Sequence, residues 1–258
     1  MSDSPDDVVL LERRGAVLVV TINRPQARNA LDAAVARLVA AAVDELDASD
    51  DLRAGVLTGA AGFFSAGMDL KAFLRGETPA IEGRGLCGIT RTPPRKPLIA
   101  AVEGGALAGG FELVLACDMV VAGRGARFGV PEVTRSLVAA GGAALLLPQR
   151  VPRAVALELL LTGAPMAADR AAAVGLVNRV VDDGRALDAA LELAGVIAAN
   201  GPLAVAATKQ IVQSAPAWAP DEMYERQDEI VGPVFASEDA REGSTAFAER
   251  RPPVWRGR

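Results

Sequence analysis

The sequence predicts an α/β fold in which strands and helices alternate in a β-rich spiral, followed by a mostly helical second half. Three observations point there. Short aliphatic runs alternate with segments of helical period as far as about Gly141; beyond it almost every segment has helical spacing; and glycine pairs mark the turns from strand to helix.

Val8 to Glu12 and Ala16 to Ile22 read as a hairpin around Arg13-Arg14-Gly15, and Asn23-Arg24-Pro25 ends its second strand. Leu31-Asp32 opens a helix running to about Asp47, with Val35, Leu38, Val39, Ala42, Val43 and Leu46 at helical spacing. Ala54 to Thr58 is the next strand. Gly59 to Ala72 is punctuated by glycine, with a short helix after Gly67, and Arg75 to Arg95 has no steady period and reads as a mobile loop or lid. Leu98 to Val102 is a buried strand, Gly109 to Ala116 a helix, and Met119 to Ala122 and Arg127 to Gly129 are strands about a turn at Gly123 to Gly125.

Helices are then expected at Gly142 to Gln149, Arg153 to Leu161, Ala168 to Val174, Arg185 to Ala199, Pro202 to Ser214, Asp221 to Phe235 and Ser237 to Glu249, with one strand, Leu176 to Val181, among them. Asn200-Gly201-Pro202 is the clearest break, so residues 1–200 read as a core and 201–258 as a C-terminal helical region.

At 258 residues the chain can bury a large core, and with 51% apolar but only 4% aromatic residues it suits closely packed helices and strands. A net charge of −5 gives no basic field for nucleic acid, so no nucleic-acid partner is expected. Cys87 and Cys117 are too few for a disulfide scaffold and fit a reducing cytoplasm. The acidic start, Met1 to Asp7, has no secretory pattern. Glu103, Glu112 and Asp118 interrupt the apolar stretch Leu98 to Gly123, which argues against a membrane span. There is no histidine, which excludes imidazole bases, serine-histidine and cysteine-histidine hydrolases and most zinc enzymes. Acid and base work falls to carboxylates, lysines, cysteines or Tyr224.

Glu112 lies inside the apolar run Phe111 to Cys117, and Glu132 follows Pro131 beyond the next strand pair. A carboxylate is costly to bury without a partner, a water or a chemical task. Read alone, Glu112 could be a buried carboxylate capped by a neighbouring amide, and Glu132 a solvated turn residue. The string GGALAGGFEL, Gly104 to Leu113, places amides at a helix start, where they stabilise negative charge on an oxygen, although a tight turn needing glycine reads the same way. FSAGMDLKAF, Phe64 to Phe73, is a second such turn, with Asp69 as cap. Two turns of this kind could aim one amide each at a single carbonyl oxygen. Ser65 has no base near it in sequence, and the G-x-G-x-x-G match at Gly83 to Gly88 has no strand before it or helix after it, so both are set aside.

Three motifs then carry a resemblance. Phe64 to Leu70 (FSAGMDL), Lys96 to Ala122 (KPLIAAVEGGALAGGFELVLACDMVVA) and Arg127 to Val133 (RFGVPEV), flanked by NRPQARNAL at Asn23 to Leu31 and by the stretch Glu238 to Arg258, resemble the crotonase, or enoyl-CoA hydratase/isomerase, family. That resemblance implies a crotonase-like spiral of repeated ββα units with a C-terminal helical trimerisation region, and a homotrimer or homohexamer. It implies an acyl-CoA thioester as substrate, with coenzyme A part of it and no metal or other cofactor.

By the same resemblance, the amides of Met68 and Gly109 form an oxyanion hole, while Glu112 and Glu132, twenty residues apart, match the two glutamates of the family's hydratases. Two fixed amides are worth about 3–4 kcal/mol each on a developing oxyanion. Two neighbouring carboxylates repel, which raises the pKa of one and makes it the acid. Arg28, Ala30, Ala66, Asp69, Leu70, Lys71 and Arg250 fall where the family holds coenzyme A. The aromatic side chain that some relatives place on the adenine is absent, Val231 lying near that position, and the loop Thr134 to Gly142 is a residue shorter than in many hydratases and lacks their proline. The expected activity is reversible syn hydration of a trans-2-enoyl-CoA in fatty acid or related metabolism. Isomerisation, a carnitinyl-CoA dehydratase-like reaction and non-catalytic acyl-CoA binding are the alternatives.

Overall fold

The computed structural model describes residues 8–258; the acidic start, Met1 to Asp7, lies outside the described residues. β1 (Val9–Arg14) and β2 (Val17–Ile22) form the expected hairpin, and β2 then pairs in parallel with β3 (Ala54–Gly59). Between them runs α1 (Ala33–Ala48), capped by the Asp32 carboxylate, which accepts the Val35 N–H. Its Val35, Val39, Val43 and Leu46 are buried at the spacing read from the sequence.

β6 (Leu98–Val102), β8 (Met119–Gly123) and β11 (Arg179–Val181) extend the sheet in parallel, giving the order β1-β2-β3-β6-β8-β11. Successive side chains of a strand point to opposite faces, and the burial follows that rule. Leu98, Ala100 and Val102 of β6 and Val120 and Ala122 of β8 join the large core with α1. Ile99, Ala101 and Val121 face the other way, onto Ala186, Ala190 and Ala194 of α7 (Ala186–Ala198). A parallel sheet covered on both faces explains why these strands are continuous apolar runs.

A second sheet stacks beyond the first: β7 (Gly105–Leu107), β9 (Arg127–Gly129) and β10 (Met166–Ala167), in the order β10-β9-β7. Each coil of the spiral places one strand in each sheet, as β6 then β7 before α3 (Gly109–Ala116), and β8 then β9 before α4 (Ala143–Arg150). The preceding coil contributes only single bridges, Ser65 to Ala106 and Leu31 to Met68. β7 was not read from the sequence, because its three residues lie inside a glycine-rich stretch that reads as a turn. The apolar stretch from Leu98 to Gly123 is thus two strands, a helix and a strand, and no single described helix is long and apolar enough to cross a membrane.

Arg75 to Arg95 is more ordered than its composition predicts. It carries a small antiparallel ribbon, β4 (Ala80–Ile81) and β5 (Gly85–Leu86), which contains the first two glycines of the G-x-G-x-x-G match, Gly83 and Gly85. Cys87 and Ile89 are fully buried, and Arg84 pairs with Asp44 of α1 at 2.9 Å. The anchoring comes from contacts distant in sequence, which local periodicity does not encode.

α5 (Arg153–Thr162) and α6 (Ala168–Ala173) complete the core layer. α8 (Pro202–Ser214), α9 (Met223–Phe235) and α10 (Glu238–Glu249) contribute no residue to either core cluster. They are tied on by polar contacts: Lys209 reaches Asp118 at 2.6 Å, and the Trp255 indole N–H donates to the Ala199 carbonyl at 2.8 Å. Buried Asp239 accepts the N–H groups of Arg256 and Gly257.

Candidate active site

The first of the two turns is built by polar side chains of the chain's early segment. Asn29, fully buried and in the left-handed region, accepts the Arg24 N–H and donates to the carbonyls of Ala60 and Phe63. The Ser65 hydroxyl donates to the Asn29 carbonyl and accepts from the Gly67 N–H, so it is committed to shaping the turn and is no nucleophile. Arg24 bridges Asp32 at 3.1 Å and Asp69 at 2.9 Å. Burial works against the charge on Asp69, but the amides of Ala72 and Lys71 and the Arg24 guanidinium hold its carboxyl below the ordinary value. The segment 66–69 is thereby fastened on both sides of Met68, with the Leu31 N–H donating to the Gly67 carbonyl and the Asp69 N–H to the Leu31 carbonyl.

The second turn enters α3 through Ala108, whose backbone at φ 50° and ψ −127° lies where glycine is at ease and a side chain is strained. Such a residue costs on the order of 1–3 kcal/mol and persists only when its surroundings over-determine it. Here the Ala108 N–H donates to the Gly129 carbonyl of β9, and its carbonyl accepts from Phe111 and Glu112.

The two turns meet. A side chain on Gly67 would begin 2.7 Å from the Ala108 methyl and 2.8 Å from the Gly109 nitrogen, so only glycine fits. Met68 and Gly109, the two donors expected from the sequence, stand on either side of this contact. Neither N–H donates to an acceptor among the described residues.

Glu112 follows one helical turn later and is 4% exposed. Its Oε1 accepts the Ala143 N–H at 3.1 Å, at the N-terminus of α4. Burial pushes its carboxyl up, and the amides of Ala143, Gly141 and Gly142 pull it back only in part. A side chain on Gly141 would start 2.4 Å from Glu112 Oε2. Glu132 lies on a 3-10 turn, Pro131–Arg135, directly after β9 and is half-buried. Its Oε2 is the one buried side-chain polar atom without a hydrogen-bond partner among the described residues. Burial raises its pKa, and the charge of Glu112 raises it further, against the smaller pulls of its own amide and Arg135. The carboxylates are therefore electrostatic neighbours, as the family resemblance implied.

The residues expected around coenzyme A are less uniform. Arg28 is exposed in the left-handed region, and its carbonyl accepts the Ala66 N–H, so Arg28, Ala30 and Ala66 share one neighbourhood with the first turn. Leu70 and Lys71 are exposed on α2 (Leu70–Leu74). The Asp69 carboxylate caps α2 and pairs with Arg24, which places the residue at the junction of the first turn and that helix. Arg250 ends α10, and its side chain has no polar partner among the described residues, so nothing within one chain joins it to the first turn.

Arg24, Asn29, Ala108, Gly141 and Leu86 escaped the sequence reading. Leu86 of β5 would touch side chains built at both Gly109 and Gly141, at 3.2 and 3.1 Å. Of these five, only Arg24 and Asn29 carried a local signal, as polar residues in the NRPQARNAL segment.

Comparison with known proteins agrees with this geometry. The family described as Enoyl-CoA hydratase/isomerase matches residues 12–258. The chain is 43% identical to an enoyl-CoA hydratase of Mycobacterium tuberculosis, over 100% of this chain and 99% of the relative. It is 41% identical to a carnitinyl-CoA dehydratase of Salmonella enteritidis, over 96% of this chain and 98% of that one. A crystal structure of enoyl-CoA hydratase from Mycobacterium tuberculosis H37Rv superposes with a TM-score of 0.96 at 57% identity, covering 98% of this chain and 100% of the other. With the spiral fold, the two abutting turns and the paired glutamates in place, this chain belongs to the enoyl-CoA hydratase/isomerase family.

Proposed function

We propose that the protein is an enoyl-CoA hydratase that adds water reversibly and syn across a trans-2-enoyl-CoA, giving a 3-hydroxyacyl-CoA. The observation that carries this reading is the partnerless Glu132 oxygen beside an amide-held Glu112 and two unused backbone donors. The Glu112 carboxylate takes a proton from water as the water oxygen bonds to C3. The π electrons move toward the thioester oxygen, where the N–H groups of Met68 and Gly109 stabilise the enolate. Protonated Glu132 then delivers its proton to C2, and proton exchange returns both carboxyls to their starting states. Burial raises the pKa of both carboxyls, but amides offset part of the rise at Glu112 while the charge of Glu112 adds to it at Glu132, which supports Glu132 as the acid.

Coenzyme A lies, on this reading, along Arg28, Ala30, Ala66, Asp69, Leu70 and Lys71, with Lys71 and Arg250 as phosphate partners. The exposed apolar side chains Val212, Phe235 and Phe247 on helices outside both cores support burial between subunits, in a homotrimer or homohexamer. A cytoplasmic enzyme of fatty acid or related acyl-CoA metabolism fits the two buried free cysteines.

The test is loss of the enoyl thioester absorbance on adding crotonyl-CoA. Saturable binding with no loss across a panel of enoyl-CoA esters would replace the enzyme by a binding protein. The similarity to a carnitinyl-CoA dehydratase favours a second reading, with a polar acyl group, and a trimethylammonium-bearing substrate in the same panel separates the two.

A further inference from the structure

We infer that Ala108 is a positioning residue for the oxyanion hole: its methyl group, kept in a backbone conformation that glycine would adopt freely, wedges against Gly67 and fixes the two amide donors relative to each other. The inference rests on the acyl-CoA reading of the site.

Three features converge on this residue. The peptide joining Ala108 to Gly109 has its carbonyl turned into α3, where it accepts the N–H groups of Phe111 and Glu112. In a trans peptide the N–H points opposite to the C=O, so the same bonds turn the Gly109 N–H outward, away from the helix. The direction of a donor is thus tied to the first turn of the helix that carries Glu112. The methyl of Ala108 then meets Gly67, one residue before Met68, with 2.7 Å between that methyl and the place where a Gly67 side chain would start. Finally, φ of 50° with ψ of −127° is a conformation that selection for stability alone would give to glycine. A hydrogen at that position would relax the backbone, and the wedge between the two donors would be lost.

Ala108→Gly should keep the fold, with a thermal midpoint no lower than that of the parent. It should lower kcat for crotonyl-CoA hydration about tenfold and leave KM within about threefold, because the donors matter most where the oxyanion develops. A readout independent of turnover is the infrared band of a 13C-labelled thioester carbonyl in bound butyryl-CoA. The parent should shift this band to lower frequency relative to free ligand, and Ala108→Gly should lose part of the shift. Ala108→Ser retains the β-carbon and should keep the shift. An unchanged band and kcat in Ala108→Gly, or a loss in Ala108→Ser equal to that in Ala108→Gly, would overturn the inference. A parent protein that shifts the band without hydrating any enoyl-CoA would leave the wedge standing and overturn the hydratase reading instead.

Discussion

Glu112 and Glu132 are the same residue type twenty positions apart, and burial raises the pKa of both, yet their surroundings answer that burial differently. Glu112 is nearly enclosed, but its Oε1 accepts the Ala143 N–H and the amides of Gly141 and Gly142 face it, so part of the cost of its charge is offset while it is held still. Glu132 sits on a short turn with one buried oxygen that nothing in the described chain satisfies, and its neighbour's charge disfavours ionisation. The difference teaches that two roles, base and acid, can be drawn from one side chain by the number of amides offered to it.

The largest expected effect breaks the pair itself. Glu112→Gln and Glu132→Gln should each lower the hydration rate by about 10²–10⁴-fold while acyl-CoA affinity changes by no more than several-fold. The double variant should lose far less than the product of the two. Near-normal hydration by either single variant, measured over every active acyl-CoA, would show that its glutamate is structural.

A smaller change sharpens the anchoring side. Gly141→Ala places a methyl 2.4 Å from Glu112 Oε2, so the carboxylate must move and kcat should fall about 10- to 100-fold, with a smaller change in KM. Full activity in this variant would mean that the three amides do not set the position of the base.

Next in size is the electrostatic coupling. The negative charge of Glu112 raises the pKa of Glu132, so Glu112→Gln should lower it, though burial keeps it above the ordinary carboxyl value. A 13C titration of labelled glutamate reads this directly; an unmoved Glu132 would place the two groups too far apart to cooperate.

The smallest effect is on stability. A carboxyl whose folded-state pKa lies above its unfolded value holds a proton that the unfolded chain has released, so stability falls as pH rises through that window. At neutral pH, Glu132→Gln removes a carboxyl whose burial costs free energy relative to its ionised form in the unfolded chain, and should raise the thermal midpoint by a few degrees, with the gain fading in acid. Glu112→Gln should gain less, because three amides already offset its burial. Equal gains in calorimetric scans would erase the distinction between the two sites.

Much of this was legible in the chain. The helical spacing of Val35, Val39 and Val43, the aliphatic runs of β2, β3, β6 and β8, and the break at Gly201-Pro202 are local patterns, and a face to be buried must repeat with the period of its element. The glycines before Met68 and Gly109 and the two glutamates in apolar or post-proline context were visible for the same reason, since each departs from what its neighbours require. What only the tertiary structure decided are relations between distant segments: the pairing of β7, β9 and β10 into a second sheet, the burial of Cys87 and Ile89 in a stretch with no period, and the bonding of Arg24 to Asp69. The same holds for the amides of Gly141 to Ala143 on Glu112, the methyl of Ala108 on Gly67, and the missing partner of Glu132. Periodicity reports which face of an element is buried, but a hydrogen bond or a steric wedge depends on where another part of the chain arrives, and that position is set by packing the whole spiral.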